Sequence, residues 1–266
     1  DPYFEKFANF PARHKITYGK KWGIVSLANR QSPIANLNLK LLGEFNDYNA
    51  LAALAVAEAY GLDVDGAVES LNSIESIPGR MEILHSPKGF DVIIDYAHTP
   101  DSLRLAYQAL RSRLQSEEAQ PQEPKEAESR NKLICVLGAA GGGRDKWKRP
   151  EFGKIAAQYC DEIILTNEDP YDENPVTIIE DIERGFSQIF NFQFSIFNEK
   201  HERPNYQKIL DRKEAIKTAL VLANHGDIVV ITGKGSEISM AVTGGKKIPW
   251  SDKNTVEELL KSGKLT

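Results

Sequence analysis

The stretch KLICVLGAAGGGRDKWKRPEFGKIAAQYCDEIILT, residues 132–166, decides the fold class of this chain. Residues 132–137 form a short apolar run, a glycine-rich polar loop follows, residues 150–159 carry helical spacing, and residues 162–166 are apolar again. Two strands separated by one helix of this length make a βαβ unit, which sets the strands parallel in one sheet. Runs with no polar face, such as IVVIT at residues 228–232, indicate a sheet covered on both sides.

The same alternation extends outward. Downstream, the spacing predicts a helix over 177–189, a strand over 192–196, a helix over 213–224 and a strand over 227–232. Upstream, a strand over 90–94 closes on Asp95, and a helix over 100–114 follows with Pro100 in its first turn. Residues 115–130 are dense in Gln, Glu and Pro and predict a solvated loop, because such a segment cannot offset its ordering entropy. Earlier still, NLNLKLL at 36–42 alternates with the period of a half-buried strand, and GEFNDYN reads as a turn. Helices are expected over 49–60, stopped by Gly61, and over 64–71, with Ile77-Pro78-Gly79 as the candidate domain boundary. The expected class is α/β, with a Rossmann-like, mostly parallel sheet in the carboxy-terminal part.

Composition narrows the function. With 33 Lys and Arg against 38 Asp and Glu, the net charge of −5 lacks the cationic footprint of a nucleic-acid binder. No apolar run reaches the ~18 residues of a membrane span, and no signal segment opens the chain. A cytoplasmic setting and small-molecule partners follow. Cys135 and Cys160, with no second thiol near either in sequence, read as inert buried thiols. The chain opens on Asp1-Pro2 without an initiator Met, as a fragment would.

In open parallel sheets ligands gather where strands end at their carboxyl side. Four such ends are polar here: DYAHTPD from Asp95, GAAGGGRDKWKRP from Gly138, TNEDPYDENP from Thr166 and TGKGSE from Thr232. The glycine loop could cradle an anion with backbone N–H groups, but it is neither a P-loop nor a complete dinucleotide fingerprint. A nicotinamide-dependent oxidoreductase is therefore supported by fold analogy alone. Arg144, Lys148 and Arg149 form a cationic cluster suited to a carboxylate or phosphate, or a solvated helix start. Glu168, Asp169, Asp172 and Glu173 crowd one loop stiffened by Pro170 and Pro175, and His98 could serve a phosphate or act as a base.

Together GEFNDYNALAALAVA, IPGRME, DYAHTPDSL, GGRDKWKRP, the EDP loop and GKGSE resemble the Mur ligase family, in that family's order and spacing. Within it they are similar to the UDP-N-acetylmuramoyl-tripeptide synthetase branch; ligases that add glutamates to folate share the fold but are less similar in the DYAHTPD and EDP pieces. The resemblance implies two parts. Residues 1–79 would be the end of an α/β ATP-binding central domain, and residues 80–266 the amino-acid-binding carboxy-terminal domain. The P-loop, the magnesium-holding modified lysine and the UDP-binding domain would precede Asp1.

The implied activity is ATP-dependent amide synthesis on a UDP-muramoyl dipeptide, using ATP and Mg2+. The resemblance places Asn46 and Asn49 near the adenine, Arg80 on the phosphates and Asp95 on the ribose hydroxyls, with His98 also on the nucleotide side. It places Arg144 on the α-carboxylate of the incoming amino acid, with Glu168, Asp169, Tyr171, Gly233 and Glu237 around its side chain. It assigns no metal ligand to this stretch. Two departures stand out: Tyr171 stands where diaminopimelate-adding members carry an arginine for the second carboxylate, and Ser236 where a His is common. Counting Glu168, Asp169 and Glu237, the pocket is expected to be net negative and to favour a diamino acid with no second carboxylate, L-lysine first and ornithine next. A binding module without turnover is the alternative of a different class.

Overall fold

The computed structural model describes residues 4–12, 15–21, 24–27, 36–118, 130–193 and 204–262. Its contacts divide the chain into two units, Asp1–Glu75 and Ser76–Thr266.

The first unit holds a short helix α1 (Phe4–Ala8), an antiparallel pair β1 (Tyr18–Lys21) and β2 (Ile24–Leu27), and helices α2 (Phe45–Ala59) and α3 (Val64–Ser73). Leu51, Leu54 and Ala55 of α2 pack on Val64 and Val68 of α3, with Ile16 and Leu37 against them. Asp63 caps α3 by accepting from the N–H groups of Asp65 and Gly66. The strand expected over 36–42 does not form. Asn72 takes its place as partner, accepting from the Asn38 N–H and donating to the Asn36 carbonyl, so the segment is tied to a helix side chain instead of a neighbouring strand. The turn read in GEFNDYN is confined to its start, since α2 already begins at Phe45.

The second unit is built on a six-stranded sheet of β3 (Glu82–His85), β4 (Asp91–Asp95), β5 (Leu133–Leu137), β6 (Glu162–Leu165), β7 (Asn205–Lys208) and β8 (Ile228–Thr232), in the order β3-β4-β8-β5-β6-β7. Only β3 runs antiparallel, paired with β4; the other pairings are parallel. Every residue of β5, β6 and β8 is buried, including Glu162 at the start of β6 and Thr232 at the end of β8, as strands covered on both faces require. Alternate side chains Val92, Ile94, Ile134, Val136, Val229 and Ile231 pack on α7 (Arg212–Leu222) and α8 (Asp252–Lys261). The opposite face carries α4 (Pro100–Glu118), α5 (Lys148–Tyr159) and α6 (Pro175–Gln193). Helices α5 and α6 approach closely through Gly153 and Gly185: a Cβ on either would lie 2.0 Å from the carbonyl oxygen of Ile182 or Pro150. A hairpin, β9 (Ser239–Val242) with β10 (Lys246–Pro249), completes the unit.

Several sequence expectations change. The strand expected over 192–196 is not one where it is described: Phe192 and Gln193 close α6, and the rest lies outside the described residues; β7 supplies the edge instead. Residues 115–118 continue α4, and the remainder of the expected loop, residues 119–129, falls outside the described residues. Cys135 and Cys160 are buried as expected, but they are not free thiols. They form a disulfide across 25 residues of sequence, because the strand-helix excursion from β5 to the end of α5 returns the chain to a Cα–Cα distance of 6.1 Å. Cysteine usage therefore gives no support to a reducing compartment. Among the described residues no helix is long and apolar enough to cross a membrane.

Candidate functional site

The four polar strand ends do converge. A cavity of about 550 Å³ in the second unit is lined by His98 after β4, Arg144 and Lys148 around the start of α5, Glu168, Asp169 and Tyr171 after β6, and Gly233 and Glu237 after β8. Parallel strands in register deliver their following loops to one edge of the sheet, which is why residues far apart in sequence meet here. The Gly233 N–H donates to the Asp95 carbonyl at 3.2 Å, joining the ends of β4 and β8 directly.

Glu168 is the most unusual group. It is 6% exposed, lines the cavity, and among the described residues no hydrogen bond reaches its carboxylate. Burial pushes it up to about 7, against the pull of Arg212. It fits only because residue 233 is glycine, with φ +106: a Cβ there would meet the Glu168 carboxylate at 2.2 Å. Beneath it Arg212, 2% exposed, forms a two-pronged pair with fully buried Asp252 at 2.8 Å. The same guanidinium donates to the carbonyls of Asn167 at 3.1 Å and Thr232 at 2.9 Å, so one side chain fastens the ends of β6 and β8 together.

The expectation of a net-negative pocket is overturned by the cations Arg144, Lys148 and Lys247 on its lining, and two of its carboxylates are further paired with Lys234. Its buried ammonium donates to both oxygens of Asp169 at 2.9 Å and to Glu237. Burial opposes its charge, and the two carboxylates more than reverse that, raising it above its ordinary value. Arg144, Lys148 and Lys247 thus line the cavity with Glu168, Asp169 and Glu237, and the last two are already paired with Lys234. Lys234 sits in the glycine-rich TGKGSE end, where a sequence reading sees a loop lysine; only its pairing with Asp169 and Glu237 reveals the charge cancellation.

Two N–H groups of the glycine loop, which could have served an anion, are turned to the chain itself. The Gly141 N–H donates to the Asp169 carbonyl at 2.7 Å and the Gly143 N–H to Glu173 at 3.1 Å, so both donors are consumed within the chain. That hydrogen bond, with Lys146 and Arg149, holds the Glu173 carboxyl down at about 2. Arg149, grouped by sequence with a ligand-binding cluster, is instead 1% exposed and committed to Asp181, Glu173 and the Ala140 carbonyl. Lys148 lines the cavity and donates to the His98 carbonyl at 3.1 Å. Arg144 also lines it, is exposed, and has no ion pair among the described residues.

Tyr171 adopts φ +51, and its ring lies against Gly142, where a Cβ would come within 2.9 Å. The β9–β10 hairpin, missed from the sequence, docks on this loop. The Ala241 N–H donates to Asp169 at 2.7 Å, the Tyr171 N–H to the Ala241 carbonyl at 3.3 Å, and the Gly244 N–H to Asp172 at 2.8 Å. The Gly244-Gly245 pair between two short runs was the available hairpin signal.

Of the residues assigned to the nucleotide, His98 lines this cavity, whereas Asp95 and Arg80 do not. Asp95 is 8% exposed, and its two oxygens accept from the N–H groups of Met81 and Ala97 at 2.8 Å each. Burial raises its carboxyl, opposed by those bonds and by Arg80. Arg80 is exposed and lies over the Tyr96 ring at 4.3 Å; neither it nor Asp95 lines the cavity, though Tyr96 does. His98 bonds the Tyr96 carbonyl at 3.1 Å. In the first unit, buried Asn46 donates to the Leu42 carbonyl at 2.8 Å and Asn49 donates to Asn46 at 3.0 Å. No group of three or more His, Cys, Asp or Glu side chains among the described residues is arranged to hold a metal.

The chain belongs to the Mur ligase family, as residues 79–235 match the model described as the Mur ligase glutamate ligase domain. More particularly, it is 39% identical over 226 residues to a UDP-N-acetylmuramoyl-L-alanyl-D-glutamate–2,6-diaminopimelate ligase of Nitrosomonas europaea, covering 85% of this chain and 40% of that one. It is 37% identical over 273 residues to the ligase of the same name in Aquifex aeolicus, covering 98% of this chain and 50% of that one. A solved structure bearing this name superimposes with a TM-score of 0.55 at 28% identity, over 93% of this chain and 45% of that chain. The chain therefore spans half or less of the length of these relatives.

Proposed function

We propose that the chain is the amino-acid-binding portion, with part of the ATP-binding portion, of a ligase that joins a diamino acid to UDP-N-acetylmuramoyl-L-Ala-D-Glu. The carrying observation is the cavity itself: it brings unpaired Arg144 and unpartnered Glu168 to one space, a cation for an α-carboxylate and a carboxyl for a side-chain ammonium. The similarity to diaminopimelate ligases along 85–98% of the chain supports the same substrate type. Nucleotide-linked substrates set the reaction in the cytoplasm.

The chemistry conserves charge and atoms. The dipeptide's terminal carboxylate takes the γ-phosphoryl group of ATP, releasing ADP; the amine of the diamino acid attacks the acyl phosphate, and a tetrahedral intermediate expels phosphate to leave the amide. No side chain here need form a covalent bond, so positioning carries this chain's share of catalysis. Arg144 orients the amino acid, Glu168 and the Lys234-Asp169-Glu237 cluster shape its far end, and Arg212 fixes the two loops that bear them. Asp95 keeps lone pairs for a ribose diol after accepting two backbone bonds, which suits the nucleotide role, and exposed Arg80 beside it suits phosphates. The test is to incubate the natural polypeptide carrying this chain with ATP, the UDP-muramoyl dipeptide and a diamino acid. ADP and a UDP-muramoyl tripeptide are expected in equal amounts; absence of both with every diamino acid tried overturns the reading.

A further inference from the structure

A diamino acid of the diaminopimelate type brings two carboxylates into the cavity, and one cationic site cannot hold both. Arg144 serves one. Tyr171 cannot serve the other, and Arg149 is locked by Asp181, Glu173 and the Ala140 carbonyl. Lys234 is saturated by Asp169 and Glu237. Lys148 spends a donor on the His98 carbonyl. Lys247, on β10, is the least committed of the lining cations besides Arg144: it lines the cavity, is exposed where Lys148 is buried, and has no ion pair or side-chain hydrogen bond among the described residues.

Its placement follows from the backbone. Lys247 lies directly opposite Ala241 in the antiparallel register, so the two share a face of the hairpin, and Ala241 also lines the cavity. Lys246, opposite Val242, belongs to the other face, and neither of those two lines the cavity. The hairpin is not free to turn, because the bonds from Ala241 to Asp169, Tyr171 to Ala241 and Gly244 to Asp172 fasten it to the loop that carries Tyr171. A cation absent from that loop is thus supplied by the hairpin docked on it.

We propose that Lys247 is the specificity-determining residue that pairs with the second carboxylate of the incoming diamino acid. It selects a dicarboxylic diamino acid over lysine or ornithine. The inference rests on the amino-acid-site reading above and goes further by naming the residue and the substrate group it contacts.

The experiment is calorimetric titration of the full 266-residue chain with meso-diaminopimelate and with L-lysine, for the native protein, Lys247→Ala, Lys247→Arg and, as a control, Lys246→Ala. Native protein is expected to bind diaminopimelate more tightly than lysine. Lys247→Ala loses about tenfold to a hundredfold in affinity for diaminopimelate, the range for a charged hydrogen bond, with lysine affinity unchanged. Lys247→Arg recovers most of the loss, and Lys246→Ala matches native protein. Equal loss for both amino acids in Lys247→Ala, or none for either, overturns this assignment while leaving the amino-acid site standing. Failure of native protein to bind either amino acid overturns the assignment together with the reading it rests on.

Discussion

Glu168→Gln should change how stability depends on pH. In the folded chain Glu168 holds its proton up to about 7, because burial in the cavity wall disfavours the carboxylate, whereas its ordinary value is 4.5. Between those values the native state binds more protons than the unfolded state, so this group's contribution to stability falls as pH rises through the window. Moving the carboxyl from 4.5 to about 7 corresponds to at most roughly 3 kcal/mol. Glutamine does not titrate, so Glu168→Gln should gain on the native protein by up to that amount between pH 4.5 and pH 8. Urea unfolding midpoints of both proteins at several pH values read the difference. A second readout is proton exchange on binding: an ammonium entering the cavity near pH 6 should ionise Glu168 and release a proton, visible as a buffer-dependent heat. A stability difference flat from pH 4.5 to pH 8, with no proton release, would refute the placement of Glu168.

Three other perturbations follow from the same geometry. Lys234→Met leaves Asp169 and Glu237 facing each other without their cation and should cost about 3 kcal/mol in denaturant unfolding; a near-neutral result would show that the ammonium does not bridge them. Arg212→Met strands the fully buried Asp252 carboxylate and releases the Asn167 and Thr232 carbonyls, so it should destabilise by about 3 kcal/mol or more and weaken amino-acid binding, while Arg212→Lys should recover only part of both. Reducing the Cys135–Cys160 bond reopens a 25-residue loop and should lower stability by about 3 kcal/mol; thiol titration of the unreduced, unfolded chain should find no free thiol.

The parallel sheet was legible because its central strands are apolar on both faces, and that pattern tolerates little else. The polar ends after β4, β5, β6 and β8 were legible for the same reason, since the strands mark where the loops begin. What the sequence hid was the partnering of charges. Arg149 reads as part of a ligand-binding cluster or a solvated helix start, and Lys234 draws no reading of its own; both are buried, and their carboxylate partners come from other segments or other turns. Cys135 and Cys160 seemed unrelated because their separation spans a complete loop and helix. The false strand over 36–42 shows the opposite error: alternation over seven residues proved compatible with a segment held by Asn72 of α3. The β9–β10 hairpin, four residues a side around two glycines, was too short to register as strands, and with it went Lys247.

The central claim is that the cavity at the strand ends receives the amino acid, and amide shift mapping by NMR tests it most directly. Titrating the isotopically labelled chain with meso-diaminopimelate should shift resonances around Arg144, Glu168, Asp169, Glu237 and Lys247, all on the cavity wall, and leave β3 and the far end of α8 unmoved. Saturable shifts centred elsewhere in the second unit, or none at millimolar ligand, would contradict it.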